Sequence, residues 1–212
     1  MVLICFDLDN TLVHADDMHV KAFNKSFVKN NLPKVKSSEL KKLFGRIGVV
    51  IIKTLFPEIT LNLAKKIVHD HNRLIVKGMA KEAKPIKGVK TVLRKLKKQG
   101  YKLALLSNCS HIEIDAILKA VKIDKSLFNI IIGSNDVTKP KPWPDEILKA
   151  KRLLNAKTVY MVGDTIYDIE AGKKANAKTV AVLTGTHSIN MLKKSKPDYI
   201  LKSAADLSKI IC

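Results

Sequence analysis

Short apolar runs separated by stretches of helical spacing dominate the chain, and the first of them is VLICFD at positions 2 to 7. An unbroken apolar run of this length, closed by an acid, predicts a strand buried on both faces of a parallel sheet rather than an edge with one wet side. Similar runs predict strands over 101–107, 129–133, 158–163, 178–183 and 198–201. Between them, apolar positions recur at helical spacing over 88–99, 111–121, 144–155, 167–175 and 203–211. Strand therefore alternates with helix from Ile86 onward. Because parallel neighbours need crossover connections, this order predicts an α/β fold, a doubly wound parallel sheet with helices on both faces.

The stretch from about Asp16 to Ala83 breaks the alternation. Helical patterns follow one another there, with Ser37 or Ser38 placed to cap ELKKLF and Thr60 placed to cap a segment from Leu61 to about Lys77. The expectation is a small all-helical cap domain, residues 16–84, inserted after the first strand of a core formed by residues 1–15 and 85–212. Pro85 and Gly88 mark the return to the α/β body. Two crossings at one end permit a hinge, and His14 is expected to belong to it or to have no role.

Composition narrows the class. A chain of 212 residues with 46% apolar positions has enough material for a sizeable core, which argues for a globular protein. Cys5, Cys109 and Cys212 form an odd set without a CxxC pair, fitting neither a disulfide framework nor a zinc knuckle. With no apolar run near the ~18 residues of a membrane helix, the reading is a soluble, cytoplasmic protein without a membrane partner.

Lys and Arg number 39 against 19 Asp and Glu, a formal charge of +20. Only Arg46, Arg73, Arg94 and Arg152 are arginines, the residue favoured for bidentate base and phosphate recognition. The lysines are spread along the chain and aromatics make up 5%, so the charge reads as a solvated surface that draws in small phosphorylated anions. It argues against a nucleic-acid partner.

The chemistry gathers at strand ends. FDLDNTL places Asp7 and Asp9 where the first strand ends, the edge at which open α/β sheets bind ligands. If strand geometry persists, both carboxylates face one side while Leu8 turns into the core. MVGDTIYD adds Asp164 and, at a helix start, Asp168. Acids brought together repel, and a hard divalent cation such as magnesium, with its preference for oxygen ligands, would compensate them. On spacing alone the same acids could cap turns and helix N-termini. Ser107 and Asn108 end another strand at a helix start, a ready anion site. In KPKPWPD, Lys139 and Lys141 sit in a proline-stiffened loop from which a lysine could neutralise phosphate.

In these residues the chain resembles the haloacid dehalogenase superfamily of phosphohydrolases. The motifs read DLDNT, Ser107, Lys141 in KPWPD, and GDTIYD, and the likeness extends over nearly the whole chain. The helical insertion is similar to the cap of the phosphoglycolate phosphatase and β-phosphoglucomutase branch. The resemblance implies a Rossmann-like core, Asp7 as nucleophile, and Asp9 as the acid that protonates the leaving oxygen and then activates water. It further implies Mg2+ held by Asp7, the carbonyl of Asp9 and Asp164, with Asp168 in support. Ser107, Asn108 and Lys141 would bind phosphate, and Arg46 would contact the other end of the substrate.

The function so implied is a magnesium-dependent phosphatase acting on small phosphomonoesters such as phosphoglycolate, its partner being a small phosphorylated metabolite. A β-phosphoglucomutase-like phosphomutase is the near alternative. A basic nucleic-acid-associated protein with a vestigial site is the alternative of another class. Asp9 favours phosphoryl transfer, because dehalogenases of the superfamily lack an acid there. Cysteine-phosphatase chemistry needs an Arg six residues after the nucleophile, whereas Asp115 follows Cys109 and Thr11 follows Cys5. No P-loop motif is present.

The remaining features read as structural. Gly45 to Gly48 match a GxxG loop but sit between helical patterns, so a turn in the cap is expected. His69 and His71, two apart on a helix, are expected at the surface. Cys5 reads as strand core and Cys109 as a small residue beside the phosphate loop, while Trp143 either packs under the lysine loop or borders the pocket.

Overall fold

The computed structural model describes residues 1–211, and Cys212 lies outside the described residues. The chain opens with β1 (Val2–Phe6) and a two-residue strand, β2 (Val13–His14). Four helices follow: α1 (Asp16–Lys29), α2 (Ser37–Lys41), α3 (Gly48–Leu55) and α4 (Leu61–Val76). The strand β3 (Lys84–Pro85) then returns antiparallel to β2, with Val13 opposite Pro85 and His14 opposite Lys84. Alternation resumes through α5 (Val89–Lys98), β4 (Lys102–Ser107), α6 (His111–Val121), β5 (Ile130–Gly133) and α7 (Asp145–Leu153). It continues with β6 (Thr158–Gly163), α8 (Ile166–Lys174), β7 (Lys178–Val182), α9 (Ile189–Lys194) and β8 (Tyr199–Leu201), closing in 3-10 turns over Ala204–Lys209.

The main sheet has the order β5-β4-β1-β6-β7-β8, and its paired strands run parallel. β1 lies between strands that the chain reaches in opposite directions, so its C-terminal end is the topological switch point where such sheets hold ligands. Its side chains alternate between two buried layers. Ile4 and Phe6 join Leu93, Ile114 and Ile117 of α5 and α6, while Leu3 and Cys5 join Ile147, Ala150 and Ala171 of α7 and α8. Burial on both faces is why VLICF carries no polar alternation.

Helices α1 to α4 have an apolar cluster of their own, including Phe23, Phe27, Leu40, Ile52 and Ile67. Each such side chain, when fully buried, contributes roughly 1.5–3 kcal/mol of transfer free energy. The Thr60 hydroxyl accepts the Leu63 N–H at 3.2 Å and caps α4 as expected. Neither Ser37 nor Ser38 caps α2. The position before that helix is the extended Lys36, without a side-chain cap bond, and Ser37 is the first helical residue.

The ELKKLF helix is also shorter than its pattern suggests, because the chain must bend at Gly45 to meet the core. Gly45 has φ +91°, and a Cβ there would stand 2.8 Å from Thr165 and 2.9 Å from Tyr167. That combination of a left-handed backbone and a close approach needs glycine. The expected turn at Gly45–Gly48 is therefore a contact between cap and core. Helix α9, capped by Ser188, has no counterpart among the expected elements, and the expected helix at 203–211 is a 3-10 run instead.

Candidate active site

Beyond Phe6 the backbone leaves the sheet, and the two acids of FDLD part company. Leu8 is fully buried in the main core. Asp7 turns toward the lysine loop and Asp9 toward the cap, although both border one cavity of about 520 Å³. The expectation that they would face one side holds only in that both open onto this space.

Lys141 organises the core side. Its ammonium donates to Asp7 at 2.6 Å, to Asp168 at 2.7 Å and to the Leu106 carbonyl at 3.1 Å, which uses its three protons. Asp168 also accepts the Thr165 N–H at 3.1 Å and the Thr165 hydroxyl at 2.6 Å, since it is the N3 residue of the capping box that starts α8. Asp164, at the end of β6, accepts the Thr11 hydroxyl at 3.1 Å. Oxygen atoms of Asp7, Asp164 and Asp168 all lie within 4.8 Å of one another.

These three acids are buried, and Lys141 is the cationic partner of two of them, Asp7 and Asp168. Burial first, then the neighbouring Asp168 and Asp9, push Asp7 up to about 8 against the pull of Lys141. Burial, Asp7 and Asp168 likewise hold Asp164 well above the usual carboxylate range. Burial alone would lower Lys141, but Asp168, Asp7 and Glu146 outweigh it and keep the ammonium charged. Three carboxylates facing one ammonium leave two formal negative charges, which is the deficit a divalent cation removes. Their hard oxygen donors suit Mg2+. The residues present thus fit such an ion.

Ser107, at the end of β4, is buried, and its hydroxyl accepts the Cys109 N–H at 3.1 Å. The Asn108 amide donates to the carbonyls of Gly45 at 2.7 Å and Lys141 at 2.9 Å, so this side chain fastens the cap to the lysine loop. Arg46 borders the cavity but is held by the core: its Nε donates to the Tyr167 hydroxyl at 2.6 Å and its guanidinium lies over the Tyr167 ring. Trp143 is half exposed between the ammonium groups of Lys139 and Lys174.

Asp9 has different company. Its carboxylate lies 3.4 Å from Nε2 of His19 and accepts the Cys109 thiol at 3.2 Å. Burial would raise Asp9, but His19, with help from Cys109 and Lys141, holds it below the usual range. His19 Nδ1 is 3.1 Å from His71 Nε2, and His71 Nδ1 is 3.4 Å from Glu113. The surface expectation for His71 is therefore wrong, while His69 is exposed as expected. On α4 the two residues fall on different sides, and the His71 side is the one that packs on α1 and α6.

Sequence reasoning missed His19, His71 and Glu113. The available signal was the polar break each makes in the apolar stripe of its helix. It also missed Glu146, fully buried on α7 with neither oxygen bonded among the described residues, and pushed up to about 7 by burial.

Comparison with known proteins agrees with this architecture. The model of the haloacid dehalogenase-like hydrolases matches residues 4–182. A pyrophosphatase PpaX of Listeria monocytogenes is 30% identical, over 98% of this chain and 95% of its own. A hydrolase from Pseudomonas syringae superposes with a TM-score of 0.87 at 25% identity, covering 98% of this chain and 96% of its own. A predicted phosphoglycolate phosphatase from Haemophilus somnus gives 0.87 at 27%, covering 99% and 97%. Among the described residues no helix is long and apolar enough to cross a membrane.

Proposed function

The chain belongs to the haloacid dehalogenase-like hydrolase family and is a phosphatase; from that premise we propose that it hydrolyses small phosphorylated metabolites in the cytoplasm through a phospho-enzyme on Asp7, with Mg2+ as cofactor. One observation carries the reading: Asp7 stands at the end of β1 within a buried group of three carboxylates and one lysine, beside a cavity lined by both the helical insertion and the core.

The carboxylate of Asp7 attacks phosphorus, forming a P–O bond as the bond to the leaving oxygen breaks. Asp9, which the arriving phosphate dianion favours in its protonated form against the pull of His19, gives that oxygen a proton. In the second half Asp9 takes a proton from water, the water oxygen bonds to phosphorus, and the bond to Asp7 breaks, releasing phosphate and the free enzyme. Splitting one displacement into two, with a single residue as acid and then base, lowers both barriers. Lys141 holds Asp7 in one rotamer and offsets charge on the phosphoryl oxygens, with Ser107 and the adjacent backbone N–H groups as further donors.

Asp7, Asp164 and the Asp9 carbonyl would hold the ion, with Asp168 in support. When bound it supplies positive charge to the phosphoryl oxygens and relieves the carboxylate repulsion. The cavity suits a small ester or an anhydride such as pyrophosphate, the substrate in the name of the Listeria relative. Arg46, which lines the same cavity as Asp7, is the cap residue proposed to read the leaving group. Phosphate release from glycolate, glycerol and sugar phosphates and from pyrophosphate, with and without Mg2+, tests the reading. Release that needs Mg2+ and disappears in Asp7→Asn is expected; full activity of Asp7→Asn would overturn it.

A further inference from the structure

Glu113 and His71 lie away from the three-carboxylate group, yet they connect to Asp9. The path is core, cap, cap, core: Asp9 after β1, His19 on α1, His71 on α4 and Glu113 on α6, with separations of 3.4, 3.1 and 3.4 Å. The two imidazoles are nearly parallel, 12° apart, with centroids at 5.2 Å. Together with the Nδ1 to Nε2 distance of 3.1 Å, that describes two rings meeting edge to edge. All four side chains except Asp9 are among the buried polar groups, and Phe23 stacks on His71 at 4.1 Å.

Donor and acceptor accounting fixes the direction of the chain. The Asn72 amide donates to the Ser110 hydroxyl at 3.1 Å, so its oxygen is the atom 3.0 Å from His71 Nδ1. With Asn72 Oδ1 and Glu113 Oε1 both facing it, and both being acceptors, His71 Nδ1 carries the hydrogen. His71 Nε2 is then free to accept, and His19 Nδ1 donates to it. Glu113 is itself anchored, because its other oxygen accepts the Ser110 N–H at 2.8 Å and the Ser110 hydroxyl at 2.7 Å. A carboxylate fixed at the start of a helix thus sets one imidazole, which sets the next, which faces Asp9.

We infer that His71 and Glu113 are positioning residues for the acid and base work of Asp9, acting through His19, and that docking of the cap completes the set. The inference rests on the role given to Asp9 above. With the cap displaced, Asp9 would lose His19, and Glu113 would lose His71. The acid would therefore be aimed only when the cavity is covered, which couples protonation of the leaving group to exclusion of water. Orientation of this kind matters most for esters whose leaving oxygen needs a proton, and least for those that depart as stable anions.

The test compares an alkyl phosphate, glycerol phosphate, with p-nitrophenyl phosphate, whose leaving group departs without a proton. In Glu113→Gln and His71→Gln, kcat/KM, which reports only the steps through release of the leaving group, should fall about tenfold or more for glycerol phosphate and stay within about twofold for p-nitrophenyl phosphate. Hydrolysis of the phospho-enzyme, in which Asp9 is the base for both esters, lies outside that ratio. An equal fall in kcat/KM for both, or no fall, in variants that retain the wild-type melting temperature would overturn the inference alone. Absence of phosphate release from either ester by the wild type would overturn the reading of the site and this inference with it. A second measurement does not depend on the variants: 15N spectra of histidine-labelled wild-type protein should place a hydrogen on Nδ1 of both His71 and His19. A His71 ring protonated only on Nε2 would contradict the chain.

Discussion

Two buried clusters of opposite charges meet at the same cavity, and they are balanced differently. On the core side, Asp7 and Asp168 share one lysine, Asp164 beside them has none among the described residues, and Asp7 and Asp164 are pushed up. On the cap side, burial would raise Asp9 and Glu113 too, but His19 and His71 hold both below the usual range. The first cluster lacks positive charge; the second supplies its own. The difference separates two tasks within a few ångströms: one set of oxygens is left for a cation and a phosphoryl group, and the other is held in place by its own partners.

Breaking the core cluster should have the largest effects. Lys141→Ala leaves Asp7 and Asp168 buried without their partner, so the expected result is loss of activity by at least about 10²-fold. Its stability cost should be around 3–5 kcal/mol, read from urea unfolding. Next comes Gly185→Ala. A Cβ at that position would stand 1.8 Å from Asp164 Oδ2, so the carboxylate must move. About a tenfold weakening of Mg2+ binding is expected, measured by calorimetry. Unchanged affinity would show that Asp164 is not held where the ion needs it.

Smaller effects sharpen the contrast with compensated acids. Thr165→Val removes the hydroxyl that caps α8 and holds Asp168, and should cost about 1–2 kcal/mol in urea unfolding. Asp70 on α4 is the mildest case. Burial would raise it, but Lys29, Asn30 and Lys66 outweigh that effect and bring it from 3.8 to about 2. Because the folded value is depressed, its stabilisation is present above the unfolded value and lost as pH falls through the folded one. Lys29 and Lys66 are more than half exposed, so screening reduces the contribution to about 1 kcal/mol. Asp70→Asn should therefore cost about that much at pH 7 and less at pH 3, read as the shift in urea midpoint at each pH.

The contrast also marks what the chain made legible. Strands such as β1 and β6 announced themselves, because a strand buried on both faces leaves a local apolar run, and acids at their ends stand out against it. Thr60 was readable because an N-cap is a local device. The shortened α2 was not, since the close approach of Gly45 to Thr165 and Tyr167 is a tertiary demand. The histidines were hidden for the same reason: His19, His71 and Glu113 come from α1, α4 and α6, and no spacing within one helix shows that the three meet. Asp7 and Asp9 were found as a pair, but their separation into two environments depended on the chain leaving the sheet after Phe6.

The central claim is that the core cluster is the one short of positive charge. Calorimetric titration of Mg2+ into wild type, Asp164→Asn and Glu113→Gln tests it most directly. One ion should bind the wild type, binding should weaken at least about tenfold in Asp164→Asn, and Glu113→Gln should bind as the wild type does. Equal affinity in wild type and Asp164→Asn, or an equal loss in both variants, would contradict the account.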